Sequence, residues 1–260
     1  MAFAKVQKNN MNTYQSLLSD IKNIGIKSDD KIIIHSSMKK VGQIQGGGDT
    51  LLDVFCDYLG EEGLVVLPCH TWDSIQAYGN IYDTNVPSNL GILPNLFRVR
   101  KGVYRSLHPT HSMCAFGKGA EEFVQGEIGN DCFCGKGRCM SKLFDMNAKV
   151  LLLGVTLTSC TFFHLIEEQT TPNHYWFNDK PGIYKIKLPS GKLIENPVYD
   201  TKIDTSHYFD NALSVVKQEK STRIGKIGNA DCILFECQKI YPLIEALIKQ
   251  NPNIFMGKEE

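Results

Sequence analysis

The chain has little that would commit it to a membrane, a nucleic acid or a secreted disulfide scaffold. Its 28 Lys and Arg balance 28 Asp and Glu, so no surplus field draws it to nucleic acid or an anionic membrane, and any charged ligand must be held locally. No apolar run approaches the length of a transmembrane helix, and the first residues, MAFAKVQKNNMNTYQ, contain no stretch like a signal peptide. A cytoplasmic location is the expectation. Nine cysteines, an odd number in a long chain without a secretion signal, point to reduced thiols. Missing motifs narrow the chemistry further. There is no G-x-x-x-x-G-K-[ST] and no G-x-G-x-x-G after a strand, which argues against nucleotide hydrolysis and dinucleotide redox chemistry. The G-x-S-x-G of an α/β-hydrolase is absent too.

What is present is ordinary for a globular protein: 42% apolar and 22% charged residues over 260 positions. That length is sufficient to bury a large core, and a single domain over 1–260 is expected. Residues Thr13 to Ile24 carry Leu17, Leu18, Ile21 and Ile24 at helical spacing, and Gly25 follows. The β-branched run Lys31 to Ser36 reads as a buried strand. After Gly46, Gly47 and Gly48, Asp49 or Thr50 can cap a helix whose face holds Leu51, Leu52, Phe55, Tyr58 and Leu59. Gly63 to Pro68 is a second strand, so the first third has the grammar of an α/β domain. Further on, the reading gives a helix start at Gly91–Phe97, a polar turn entering a strand over Ser106–Phe116, and a strand at Lys149–Gly154. Then come a helix over Cys160–Gln169, an antiparallel hairpin over about 176–198, a strand at Cys232–Phe235 and a helix from Lys239 to Lys249.

Three segments could carry chemistry. The first is His35-Ser36-Ser37-x-x-x-x-Gly42, at a strand exit before a triglycine: backbone N–H groups, two hydroxyls, Lys39 and Lys40 suit a diphosphate, although a glycine-rich turn leading to a capped helix explains the same residues. Gln43 to Gly48 also reads Q-x-x-G-x-G, but too few strands precede it for the pyrophosphate loop of a GCN5-related acetyltransferase. The second is Thr161-Phe-Phe-His164-Leu-Ile-Glu167-Glu168. Residues three and four apart share a helix face, so Glu167 or Glu168 can fix the tautomer of His164 and make it a general base; an amphipathic helix with a partly buried histidine is the plain alternative. Cys160, one turn earlier, is either an acyl-accepting nucleophile or an inert core residue. The third is His108-Pro-Thr110-His111-Ser112, a turn exposing imidazoles and hydroxyls. The spacing of Cys132, Cys134 and Cys139 matches neither zinc knuckles nor ferredoxin patterns, so no metal is expected.

In order, the stretches HSSMKKVG, GGGDTLLDVFCDYLGEEGLVVLPCHTW, HPTHSMCAFG, KVLLLGVTLTSCTFFHLIEE and RIGKIGNADCILF resemble the aminoglycoside 3-N-acetyltransferase family, over roughly Lys31 to Phe235. The resemblance implies an antibiotic-acetyltransferase-type α/β fold, distinct from the GCN5-related one, with a central mixed sheet, flanking helices and an appended β-hairpin. It implies acetyl-CoA as co-substrate, no metal, and a small-molecule amine as acceptor, with self-association as a homodimer left open. Catalysis would fall to His164 as base with Glu167 as its acidic partner. Cofactor contacts would fall to Ser36, Ser37, Lys39, Val41, Gly42, Thr71 and Ser112, with Thr71 or Ser112 also candidates for stabilising the oxyanion. The acceptor side would be formed by Asp131, His111 and Glu168. Where the family has a proline-rich GPGSP segment this chain has Cys134-Gly-Lys-Gly-Arg-Cys139, and of the acidic pair ahead of it only Asp131 remains, so recognition of a polycationic antibiotic is weakened. The rival classes are a CoA- or nucleotide-binding module without catalysis, and a metal-dependent hydrolase built from His164, the turn histidines and the cysteines.

Overall fold

A computed structural model describes residues 11–129, 132–171, 178–199 and 201–256. In chain order the elements are α1 (Tyr14–Asn23), β1 (Lys31–Ser36), α2 (Met38–Val41), α3 (Gly47–Leu59), β2 (Leu64–Pro68), β3 (Ile81–Tyr82), α4 (Ile92–Phe97), β4 (Tyr104–Arg105), β5 (Met113–Gly117) and α5 (Ala120–Phe123). They continue with α6 (Cys139–Asp145), β6 (Lys149–Leu153), α7 (Phe162–Thr170), β7 (Gly182–Lys187), β8 (Leu193–Val198), α8 (Leu213–Gln218), β9 (Arg223–Ile227), β10 (Ala230–Glu236) and α9 (Cys237–Gln250).

A seven-stranded sheet runs in the order β4-β5-β2-β1-β6-β10-β9. It is mixed: β1 pairs parallel with β2 and β6, and the outer pairings are antiparallel. The central strands are apolar on both sides, which is what a sheet covered on two faces requires. Ile33, Leu64, Val66, Val150 and Leu152 enter one core with residues of α6, α7 and α9. Their neighbours Ile32, Ile34, Val65, Leu67, Leu151 and Leu153 enter the other, against α1 and α3. The period of two along each strand splits every run between the two cores.

Two expectations shift. Helix α3 begins at Gly47, with Gly46 as its N-cap at φ 83°, rather than at a cap from Asp49 or Thr50. A side chain at Gly46 would meet the Thr50 hydroxyl at 2.3 Å, so the turn into the helix needs glycine there. The hairpin, whose expected first residues 176 and 177 lie outside the described ones, is not a free appendage. Its β7 pairs parallel with β3 to make a three-stranded sheet, over a small core of Ile75, Tyr82, Val86 and Ile186. No helix among the described residues is long and apolar enough to cross a membrane.

Candidate active site

The parallel strands β2, β1 and β6 lie side by side and end at one edge of the sheet, the position where open α/β sheets bind ligands. A cavity of about 610 Å³ opens there, within the range of small-molecule sites. Its walls take His35 and Ser36 from the end of β1, Pro68, His70 and Trp72 from the end of β2, and Val155 and Thr158 to Thr161 from the segment after β6. His111, Phe133 and His164 close it from one side, and Tyr199, Thr201, Ile203, Asp204 and Ser206 from another.

His164 sits on the first turns of α7, whose buried Phe162, Phe163, Leu165 and Ile166 fix the helix against the core. Its Nδ1 lies 2.9 Å from Oε2 of Glu167, and the same carboxylate oxygen accepts from the Thr205 hydroxyl at 3.0 Å. Glu167 is buried, whereas the His164 side chain keeps 23% of its surface exposed. The carboxylate therefore holds the proton on Nδ1 and leaves Nε2 as the free basic atom. Phe209 and Phe133 stand edge-on to the imidazole at 5.0 and 5.8 Å and restrict its rotation. Between the two acids left open by spacing alone, this geometry selects Glu167. Glu168 instead receives the Cys132 thiol and is not part of the cavity wall.

The other histidines are built differently. His111 stacks on Phe133, centroids 4.1 Å apart and 6° from parallel, with His70 at 4.8 Å and Trp72 at 5.5 Å. Burial pushes His35 down to about 3, and burial with the nearby His164 does the same to His111. His70 and His108 are held well below the ordinary range, chiefly by burial and then by His111. All four are neutral at physiological pH. His108 is a scaffold: its Nδ1 accepts from the backbone N–H of His111 at 2.9 Å and fixes the turn.

The residues expected on the cofactor side separate. Ser36 lines the cavity, Ser37 is half-buried before α2, and Lys39 is exposed beside it. Val41 is fully buried, its carbonyl taken by the side chain of Asn12 and the backbone of Asn229. Gly42, at φ 88°, is pressed so closely against Asn229 that a Cβ would approach its amide to 2.5 Å. Thr71 and Ser112 are fully buried. Thr71 donates its hydroxyl to the Pro109 carbonyl at 2.6 Å, and Ser112 donates to Cys69 at 2.7 Å while accepting from Arg105 at 3.2 Å. Their hydroxyls thus bond backbone carbonyls, and neither residue is part of the cavity wall. Burial pushes the Cys160 thiol up to about 12, which removes it as a nucleophile at neutral pH. Cys139 is turned away from Cys132 and Cys134, its thiol against the Phe123 carbonyl at 3.4 Å. Asp131 lies outside the described residues.

His70, Trp72, Phe133, Asp204 and Thr205 carry no local spacing signal, and His35 enters only as the first residue of the strand-exit segment. His35 and His70 had a usable signal, since each ends a buried strand of an α/β pattern; Thr205 had none, because its link to Glu167 spans 38 residues.

A family model described as aminoglycoside 3-N-acetyltransferase matches residues 33–249. The SPbeta prophage-derived aminoglycoside N(3')-acetyltransferase-like protein YokD of Bacillus subtilis is 27% identical, over 86% of this chain and 87% of that protein. Aminoglycoside N(3)-acetyltransferase VII of Streptomyces paromomycinus is 30% identical, over 88% of each. Among solved structures, AAC-IIIb in a binary complex with CoASH superposes with a TM-score of 0.79 at 22% identity, covering 92% of this chain and 97% of that one. With a matched span that takes in the strands, the cavity and α7 together, the chain belongs to the aminoglycoside 3-N-acetyltransferase family.

Proposed function

We propose that the protein transfers the acetyl group of acetyl-CoA directly to an amine of an aminoglycoside or related amino sugar, with His164 as general base and Glu167 as its orienting partner. The observation that carries this reading is the buried Glu167 carboxylate, held by Thr205 and bonded to an imidazole that faces the cavity. As the acceptor nitrogen attacks the thioester carbonyl, Nε2 of His164 takes its proton, a contribution of about 10²–10⁴-fold. Glu167 stabilises the imidazolium that results. Collapse of the tetrahedral intermediate expels CoA thiolate and leaves the N-acetyl product. Direct transfer is favoured because Cys160 is too buried to act as an acyl carrier.

Acetyl-CoA fits the wall that includes Ser36, next to the exposed Lys39 and Lys40 for its phosphates. Asp204, whose carboxylate also accepts from Ser206, supplies an acid on the opposite wall for a cationic acceptor. The reaction needs no partner beyond the small-molecule amine and suits the cytoplasm, where acetyl-CoA is available. A thiol-release assay with acetyl-CoA across aminoglycosides and simple amino sugars, followed by mass spectrometry, tests this. One added acetyl on an amine is expected, and acetyl-CoA that stays intact with every acceptor would refute it.

A further inference from the structure

The loop between α5 and α6 brings two thiols to the side of α7. Its ends are fixed: the fully buried Arg138 donates to the Gly126 carbonyl at 2.7 Å and lies 3.5 Å from Glu127, which accepts from the Cys139 backbone at 2.7 Å. Between these anchors, Cys132 Sγ, Cys134 Sγ and a carboxylate oxygen of Glu168 lie within 4.8 Å of one another. The Cys132 thiol meets the Glu168 carboxylate, and the backbone N–H of Cys134 donates to Cys132 Sγ at 3.2 Å. Two sulfurs with one oxygen are a soft donor set that prefers zinc-like ions over Mg²⁺ or Ca²⁺.

We propose that Cys132, Cys134 and Glu168 form a binding site for a thiophilic divalent cation of the Zn²⁺ class, with the fourth tetrahedral position open to water. Binding releases one proton from each thiol, and the ion takes over the bridge now made by the Cys132 thiol to Glu168. The site lies beside the catalytic cavity and is separate from acetyl transfer, so it stands or falls independently of the proposed function. Its link to the cavity is Phe133, which lies between the two cysteines in sequence and stacks on His111. An ion on both sulfurs fixes that wall.

The test is an anaerobic titration of the full reduced chain with Co²⁺, a spectroscopic stand-in for Zn²⁺. Expected are a thiolate-to-cobalt charge-transfer band that saturates at one equivalent, its displacement by Zn²⁺, its loss in Cys132→Ser and Cys134→Ser, and weaker binding in Glu168→Gln. Cys139→Ser keeps the band, because that thiol is turned to Phe123. If Cys134→Ser does not fold, the half-buried Cys132→Ser carries the test alone. The proposal is overturned if the wild-type chain shows no band, if the band survives loss of Cys132, or if Cys139→Ser removes it as well.

Discussion

The two histidine regions around the cavity use one residue type in opposite ways. On α7, His164 is partly exposed and its Nδ1 is paired with Glu167. Around the 108–112 turn and the ends of β1 and β2, His35, His70 and His108 are buried and His111 is half-buried, and no described carboxylate pairs with them. Among the described residues, His35 Nε2, both nitrogens of His70 and His108 Nε2 are buried with no protein hydrogen-bond partner. Burial penalises a proton on His35, His70, His108 and His111, whereas His164 faces a carboxylate. The contrast is one of environment: only His164 among these imidazoles is paired with a buried acid, and the proposed base rests on that pairing.

Breaking the first region should have the largest effect. His164→Ala is expected to lower kcat by about 10²–10⁴-fold, measured by thiol release at saturating acetyl-CoA. Glu167→Gln keeps a partner for Thr205 but removes the charge that stabilises the imidazolium; a loss of about 10- to 100-fold in kcat is expected, with little change in KM for acetyl-CoA. In the second region the effect is on folding. Because His35 and His111 have folded values near 3, below the ordinary 6.5, the unfolded chain binds more protons than the folded one. The stability they contribute is complete above pH 6.5 and is lost as pH falls toward 3, by up to about 1.4 kcal/mol per pH unit for each imidazole. Denaturant titrations from pH 7 to 5 should show this decline, and a flat profile would contradict neutral burial. The smallest catalytic effect belongs to Ser112→Ala. It removes the hydroxyl that bridges the Cys69 carbonyl and Arg105, which still bond each other directly, and should lower stability by about 1 kcal/mol, while kcat stays within a fewfold of the parent.

The same contrast between local and non-local contacts separates what the sequence makes legible from what it does not. Strands β1, β2 and β6 were legible because they are apolar on both faces, and α7 because Phe162, Leu165 and Ile166 repeat at helical spacing against the core. Strand β9 was missed because it is an edge strand with mostly polar or exposed residues, identifiable only through its antiparallel pairing with β10. Strand β3 is too short to show a period. Within the site, the pairing of His164 with Glu167 is local and could be expected from i, i+3 spacing, with Glu168 as its equal until the geometry separated them. Thr71 and Ser112 show what spacing leaves open: a hydroxyl near a turn serves the backbone as readily as a ligand, and here both bond backbone carbonyls. The neighbourhood of His35 and His70 depends on which strands lie side by side, a non-local fact.

The central claim, that Glu167 acts through His164, is tested most directly by a double-mutant cycle on kcat. The double variant Glu167→Gln with His164→Ala should be no slower than His164→Ala alone, because the carboxylate has nothing left to orient. If the two losses multiply instead, Glu167 acts on the reaction independently of His164 and the assigned pair is wrong.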